Sequence, residues 1–331
     1  MARSPLPSVT LPRYRRAHVP FADLMGAPAS RVLASMDEAG DDVPVQRPAH
    51  MLHVDSVALK RRAVVVRIGD PFESLDEVSA VCTLDVAVGV PAARRGIHVS
   101  RIGHVIADTA MAAYRDVPAV AEAVAREVAR TQYGHASVTV RARVPYLEAV
   151  GDHRGGKLSL EHLHVIARQR IEPGRESRDI GLRVTHLVAC PCVQQTYKHS
   201  RLSQRGGEAH PPSDLLMTHS QRCSTTVIAH DVTGMPSVAA LLARLDAVLF
   251  RTCNTLPRDA ELALVYRAHR TPQFIEDAIR AAIVAVAQAW PSSGTYREIS
   301  GRARSVESIH EYDLTATLRV SAGDLARVTG T

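Results

Sequence analysis

The stretch from residue 184 to 222 is dense in side chains able to do chemistry: Cys190-Pro191-Cys192, then His199, His210 and His219, then Gln221-Arg222. Thiolate and imidazole hold borderline-soft divalent metals, and a metal with an open position generates hydroxide near neutral pH. Spacing alone leaves two readings open. The C-x-C pair lacks the double C-x-x-C of a zinc ribbon, and free cysteines are often simple buried residues, so the pair also reads as two thiols beside a polar loop. Farther along stand Glu261, at the end of Pro257-Arg258-Asp259-Ala260-Glu261, then Glu276-Asp277 after Pro272-Gln273-Phe274-Ile275, and then Glu307-Ser308-Ile309-His310. Glu276 and Asp277 fall at an expected helix start, where carboxylates also serve as plain partners of the helix dipole. His310 opens an expected strand, where a lone histidine is ordinarily a surface or hydrogen-bonded residue.

These residues need a scaffold, and the hydrophobic pattern supplies one twice. In the first half, strand-like runs at 58–68 and 80–90 flank the turn Gly69-Asp70-Pro71. Helical stretches follow at 103–114 and 118–131, then strands at 135–146 and 157–171. In the last of these the apolar phase flips between Leu160 and Leu163, as a bulge or bend would produce. The second half repeats the order: strands at 179–188 and 223–229, helices at 237–251 and 272–290, strands at 295–304 and 312–320. The expectation is an α+β fold of two tandem β-β-α-α-β-β modules, with antiparallel sheets and helices on one face. The modules cover 43–174 and 175–331, and residues 1–42 form a poorly ordered arm with a short helix near 30–36. Neither a GxGxxG nor a P-loop is present to suggest a doubly wound parallel sheet.

At 331 residues with 46% hydrophobic and 4% aromatic content, the chain can bury an aliphatic core of Val, Ile, Leu and Ala. Its formal charge of +6 favours anionic partners. The arginines are scattered and no basic run is interleaved with aromatics, so no nucleic-acid partner is expected. No run reaches the length of a membrane span, and five cysteines without an apolar leader point to a reducing cytoplasm.

Taken together, the motifs resemble the type IB GTP cyclohydrolases, a metal-dependent family with the tunnelling fold. The resemblance runs from about residue 43 to 320. It is carried by Val43-Pro44-Val45-Gln46-Arg47, Gly96-Ile97-His98-Val99-Ser100-Arg101, the Cys190-Pro191-Cys192 pair, His219-Ser220-Gln221-Arg222, and the segments 272–277 and 307–310. The resemblance implies one divalent metal (Zn, Fe or Mn) on Cys190, His219 and Glu261, with His310 as a further ligand or proton-transfer group. It makes Glu276 the guanine anchor. Residues His98, Ser100, Arg101, Gln221 and Arg222 become candidates for the triphosphate or ribose, and Cys192 either shuttles protons or lies outside the ligand set. It implies a homotetramer with sites at subunit interfaces, and conversion of GTP and water to 7,8-dihydroneopterin triphosphate and formate at the entrance to folate or related pterin synthesis. Departures are a longer excursion between Cys190 and His219, read as an inserted surface loop over roughly 198–216, Tyr266 in place of a second glutamate, and Met217-Thr218 before the metal histidine. A specialised tunnelling-fold enzyme acting on GTP or another purine or pterin, and a nucleotide-binding homologue without catalysis, remain the competing readings.

Overall fold

The computed structural model describes residues 42–151, 157–204 and 216–329. The first module consists of β1 (Val54–Gly69), β2 (Glu77–Val90), α1 (Val99–Thr109), the two-residue β3 (Ala113–Tyr114), α2 (Val117–Thr131), β4 (Ala136–Val150) and β5 (Lys157–Glu172). In the second, β6 (Arg175–Ala189) and α3 (Pro191–Gln204) precede β7 (Ser220–His230), α4 (Val238–Asp246) and β8 (Phe250–Arg251). Helices α5 (Arg258–Arg270) and α6 (Ile275–Ala287), strands β9 (Glu298–Val306) and β10 (Leu314–Ser321), and a closing α7 (Ala322–Thr329) complete it. The helix expected near 30–36 lies outside the described residues.

All the long strands join one antiparallel sheet in the order β10-β9-β7-β6-β5-β4-β2-β1, with β3 parallel to β1 at one edge and β8 paired to β6. The β5–β6 hairpin fuses the modules, turning at Gly174 with φ +76, a conformation glycine adopts without a Cβ clash. Strict alternation explains which face is covered. In β2, Ala80, Cys82, Leu84, Val86 and Val88 are all buried beneath helices, while the residues between them point the other way. Valines 120, 124 and 128 of α2 complete the core of the first module. Ile275, Ile279 and Ile283 of α6 do the same in the second. At Gly301 an added Cβ would sit 2.9 Å from Ile279 Cγ1, so glycine is what lets α6 approach β9.

Several boundaries differ from the expectation. The helix placed at 103–114 runs from Val99 to Thr109, and Ala113–Tyr114 instead pairs with β1. The helix placed at 237–251 stops at Asp246, before β8. The bulge expected in β5 is absent: its register with β4 is unbroken from Ala136↔Ile171 to Val150↔Lys157. The phase flip has another cause. Ser159 and Glu161 are the buried residues, Leu158 and Leu160 the exposed ones. The buried pair is satisfied internally and by the β8–α5 linker, through Ser159 Oγ to Glu161 Oε1 at 2.6 Å and Asn254 N to Glu161 Oε1 at 2.7 Å. Helix α5 was not expected because its apolar residues form no single stripe; Leu262, Val265 and Tyr266 are exposed and only Ala268 is buried. Helix α3 occupies the first half of what read as a loop, and residues 205–215 of that excursion lie outside the described residues.

Candidate active site

The sheet ladder itself brings Cys190 and His219 together. The β6–β7 pairing ends at Ala189↔Ser220, and one step farther the Cys190 amide donates to the His219 carbonyl at 3.0 Å. Thr218 Oγ1 donates to the Cys190 carbonyl at 2.7 Å, closing the neck of the long excursion. Pro191 then starts α3 at the position where a missing N–H costs nothing. Cys190 is half-buried and Cys192 exposed.

Other site residues reach the same end of the sheet by separate routes. Strand β9 pairs with β7 through Val306↔Arg222, so the β9–β10 turn arrives beside His219, whose Nδ1 lies 3.3 Å from Ser308 Oγ. Glu307 Oε1 accepts from Gln221 Nε2 at 3.3 Å and from Ser305 Oγ at 2.7 Å. His310 stays in that turn rather than opening a strand, stacked on Tyr312 at 5.0 Å. The Gln273 amide donates to the Ala189 carbonyl at 3.1 Å, which fixes the start of α6 and hence Glu276 at this end. Of the two adjacent carboxylates, Asp277 does the capping: its Oδ2 accepts from the Phe274 amide at 3.2 Å and its Oδ1 from Arg280 at 3.2 Å. Glu276 is exposed and has no side-chain partner among the described residues. Glu261, in the first turn of α5, is exposed as well, with its amide bonded to the Pro257 carbonyl.

The first-module motif lies elsewhere. Gly96–Arg101 follows the end of β2 at Val90, which pairs with Val54, whereas Cys190 lies beyond the opposite end of the sheet, near Lys157 of β5. His98 and Arg101 are both held by Asp42, His98 Nδ1 to Oδ1 and Arg101 Nη2 to Oδ2, each at 3.2 Å. The His98 backbone is clamped by Gln132, which accepts from its amide at 3.1 Å and donates to its carbonyl at 3.2 Å. Ser100 is exposed. One protomer therefore gathers Cys190, His219, Gln221, Arg222, Glu261, Glu276 and His310 at one end and sets His98, Ser100 and Arg101 at the other.

Among the described residues, no three His, Cys, Asp or Glu side chains converge as a metal-holding group. The donor types still suit a borderline metal, and the neighbourhood of Cys190 contains polar atoms short of partners: Gln221 Oε1, His269 Nε2 and Gln273 Oε1 are buried without a hydrogen bond. The last two belong to a layer that sequence reasoning missed. Gln194 is buried under Cys190, donating to the His269 carbonyl at 2.6 Å and accepting from Lys198 Nζ at 2.7 Å. Recognising α5 as a helix would have placed His269 in its last turn, two residues before the chain enters the segment ahead of α6.

One antiparallel sheet with helices on one face, and with thiol, imidazole and carboxylate side chains at one end, makes this an α+β protein with a candidate active site at that end. More specifically, residues 41–316 match the family described as Type I GTP cyclohydrolase folE2, and the chain belongs to it. It is similar to proteins named GTP cyclohydrolase MptA: that of Thermoplasma acidophilum is 26% identical over 295 residues, covering 87% of this chain and 97% of the relative. The one from Aeropyrum pernix is 28% identical over 284 residues, covering 84% and 94%. Among solved structures, the uricase of Arthrobacter globiformis aligns over 80% of this chain and 93% of its own, with 8% identity and a TM-score of 0.43.

Proposed function

We propose that this chain is a GTP cyclohydrolase of type IB, opening the imidazole ring of GTP by hydrolysis to release formate. The observation that carries the reading is the convergence, at one end of the sheet, of the Cys190–His219 neck with the unpartnered carboxylate of Glu276. Cys190, His219 and Glu261 would hold one divalent metal, with His310 as a fourth donor or proton carrier. Held there, a Zn, Fe or Mn ion would supply Lewis-acid chemistry and a water made acidic enough to act as a nucleophile near neutral pH. Everything else falls to side chains. Glu276 accepts the N1–H and exocyclic amine of guanine, a pattern adenine cannot offer, so guanine selectivity follows from one carboxylate. Arg222 and Gln221 lie beside His219 and suit the ribose or phosphates.

The opposite placement of His98, Ser100 and Arg101 supports an assembly in which a second copy brings that end to the first copy's metal end. Two further features favour a homotetramer. Strand β10 is an edge strand and β3 covers only Arg67–Ile68 of β1, so both sheet edges offer unpaired backbone among the described residues. The helix-free face also exposes Val65, Val81, Leu147 and Leu160. We further propose 7,8-dihydroneopterin triphosphate as the product, feeding folate or related pterin synthesis, and a cytoplasmic setting, supported by five free thiols. No helix among the described residues is long and apolar enough to cross a membrane. The length of the Cys190–His219 excursion and the departures at Tyr266 and Met217-Thr218 support a second reading, in which the same ring opening serves a specialised pterin or deazapurine product.

Purified protein supplied with GTP and each of Mn²⁺, Fe²⁺ and Zn²⁺ is expected to release formate and give a fluorescent pterin after oxidation. Formate with a product whose mass differs from that of 7,8-dihydroneopterin triphosphate selects the second reading. Absence of formate with every metal rejects both.

A further inference from the structure

The helix-free face of the sheet carries a row of arginines that the catalytic end does not use. Cross-strand pairing aligns Arg143 of β4, His164 of β5, Arg183 of β6, Thr226 of β7 and Arg302 of β9. Directly paired residues project from the same face, so these side chains stand side by side. The adjoining row adds Ser224 and Arg304.

An ordinary solvated sheet face would pair such arginines with cross-strand carboxylates, and this molecule does so elsewhere on the same face. Arg141 meets Asp85 at 2.8 Å, Arg170 meets Asp179 at 2.8 Å, and Arg319 meets Glu298 at 2.7 Å. In the row itself the partners are neutral. Arg183 Nη2 lies 3.2 and 3.3 Å from the two ring nitrogens of His164, and Arg143 Nη2 lies 3.2 Å from His162 Nδ1. Burial, with the flanking guanidiniums behind it, pushes the His164 imidazole down to about 4, so it spaces the arginines without adding charge. Arg302 has no partner among the described residues. Arg304 is bound to Asp313 at 3.0 Å, which leaves Arg143, Arg183 and Arg302 without a carboxylate partner among the described residues.

We infer that this row binds the triphosphate chain of a nucleotide at a site separate from the catalytic end. Arg183 and Arg302 are two strands apart, about 10 Å, with Thr226 between them. Two guanidinium forks on flexible arms can close over a phosphate chain of that length, with the Thr226 and Ser224 hydroxyls as donors beneath it. No aromatic side chain lies in the row, so the phosphates rather than the base are recognised.

Calorimetric titration with inorganic triphosphate at low ionic strength tests this. The Arg183→Gln/Arg302→Gln variant is expected to lose one binding equivalent per protomer, or about tenfold in affinity, while Arg130→Gln on α2 and Glu276→Ala keep it. The Arg183→Lys/Arg302→Lys variant, which preserves charge, should bind at an intermediate level and guards against a folding artefact. ATP should compete as well as GTP in the Glu276→Ala background. Wild-type protein that binds no triphosphate, a double variant that binds like wild type, or competition by GTP alone would overturn the assignment. So would a double variant with unchanged triphosphate binding but a smaller assembly mass, which would make the row a subunit contact. Formate release reads the proposed function separately, because neither arginine belongs to the catalytic end.

Discussion

The two ends of the sheet are built on opposite principles. At the end where β5 turns into β6, the buried carboxylate is densely answered: Asp179, 3% exposed, accepts two bonds from Arg170, lies 3.3 Å from His230 Nδ1 and takes the Asp231 amide at 3.2 Å. Arg170 also reaches Asp231, which is bound by Arg297 at 2.7 Å. A cavity of about 280 Å³ there is lined by five arginines with Glu172, Asp231 and Glu298 among them. At the Cys190 end, by contrast, Glu261 and Glu276 have no side-chain partners among the described residues, and three buried polar atoms lack hydrogen bonds. Saturated polar networks hold structure, whereas unsatisfied groups stand ready for a ligand. The closed network sits on the β5–β6 seam between the modules; at the Cys190 end the modules are tied as well, by Arg251 to Glu148 at 2.8 Å and Asn254 N to Glu161 Oε1 at 2.7 Å, and the unpartnered carboxylates stand beside those ties.

That contrast can be broken by substitution. The largest effect expected is from Glu276→Ala, which should lower kcat/KM for GTP by at least about a hundredfold through loss of charge-assisted guanine bonds, while the melting temperature stays put. Formate release read alongside calorimetry checks both halves; a melting shift with activity retained would make Glu276 structural. Asp179→Asn should do the reverse, costing about 3 kcal/mol of stability because several cations lose their buried counter-charge. Urea unfolding measures it.

Acid should expose the same divide. Burial alone raises the Asp179 carboxyl, but bonds from His230 and Arg170 outweigh it and hold the group well below the usual carboxylate range. Its contribution is therefore complete above about pH 4 and is lost as pH falls below that, a slope that Asp179→Asn should flatten. His186 acts in a higher window. Fully buried, with Nε2 2.8 Å from Thr225 Oγ1, it is pushed down from 6.5 to about 4. The unfolded chain takes up that proton first, so stability should decline by about 3 kcal/mol as pH falls from 6.5 toward 4. Unfolding of His186→Gln across that interval should show a shallower slope; an unchanged slope would remove His186 as its source. The smallest effect is expected at Asp277→Ala, about 1 kcal/mol for a lost helix cap with kcat/KM nearly unchanged, against its neighbour Glu276.

Much of this was legible in the residues. Alternation in β2 and β4 fixed which side chains are covered, because a period of two permits only one buried face. The paired element order gave the two-module architecture, and residue types together with motif resemblance singled out Cys190, His219, Glu261 and Glu276. What the sequence left ambiguous depended on contacts between distant segments. Leu158 and Leu160 looked like core, yet Ser159 and Glu161 are buried because Asn254 and Thr255 satisfy them. Residue type alone did not say which of Glu276 and Asp277 caps the helix; the Phe274 amide is bound by Asp277. The opposite placement of Gly96–Arg101 and Cys190 is likewise a matter of strand direction summed over the sheet, and so is the alignment of Arg143, Arg183 and Arg302 from three strands into one row without a carboxylate partner among the described residues. Local pattern is set by neighbours along the chain, but charge balance and shared sites are set by neighbours across it.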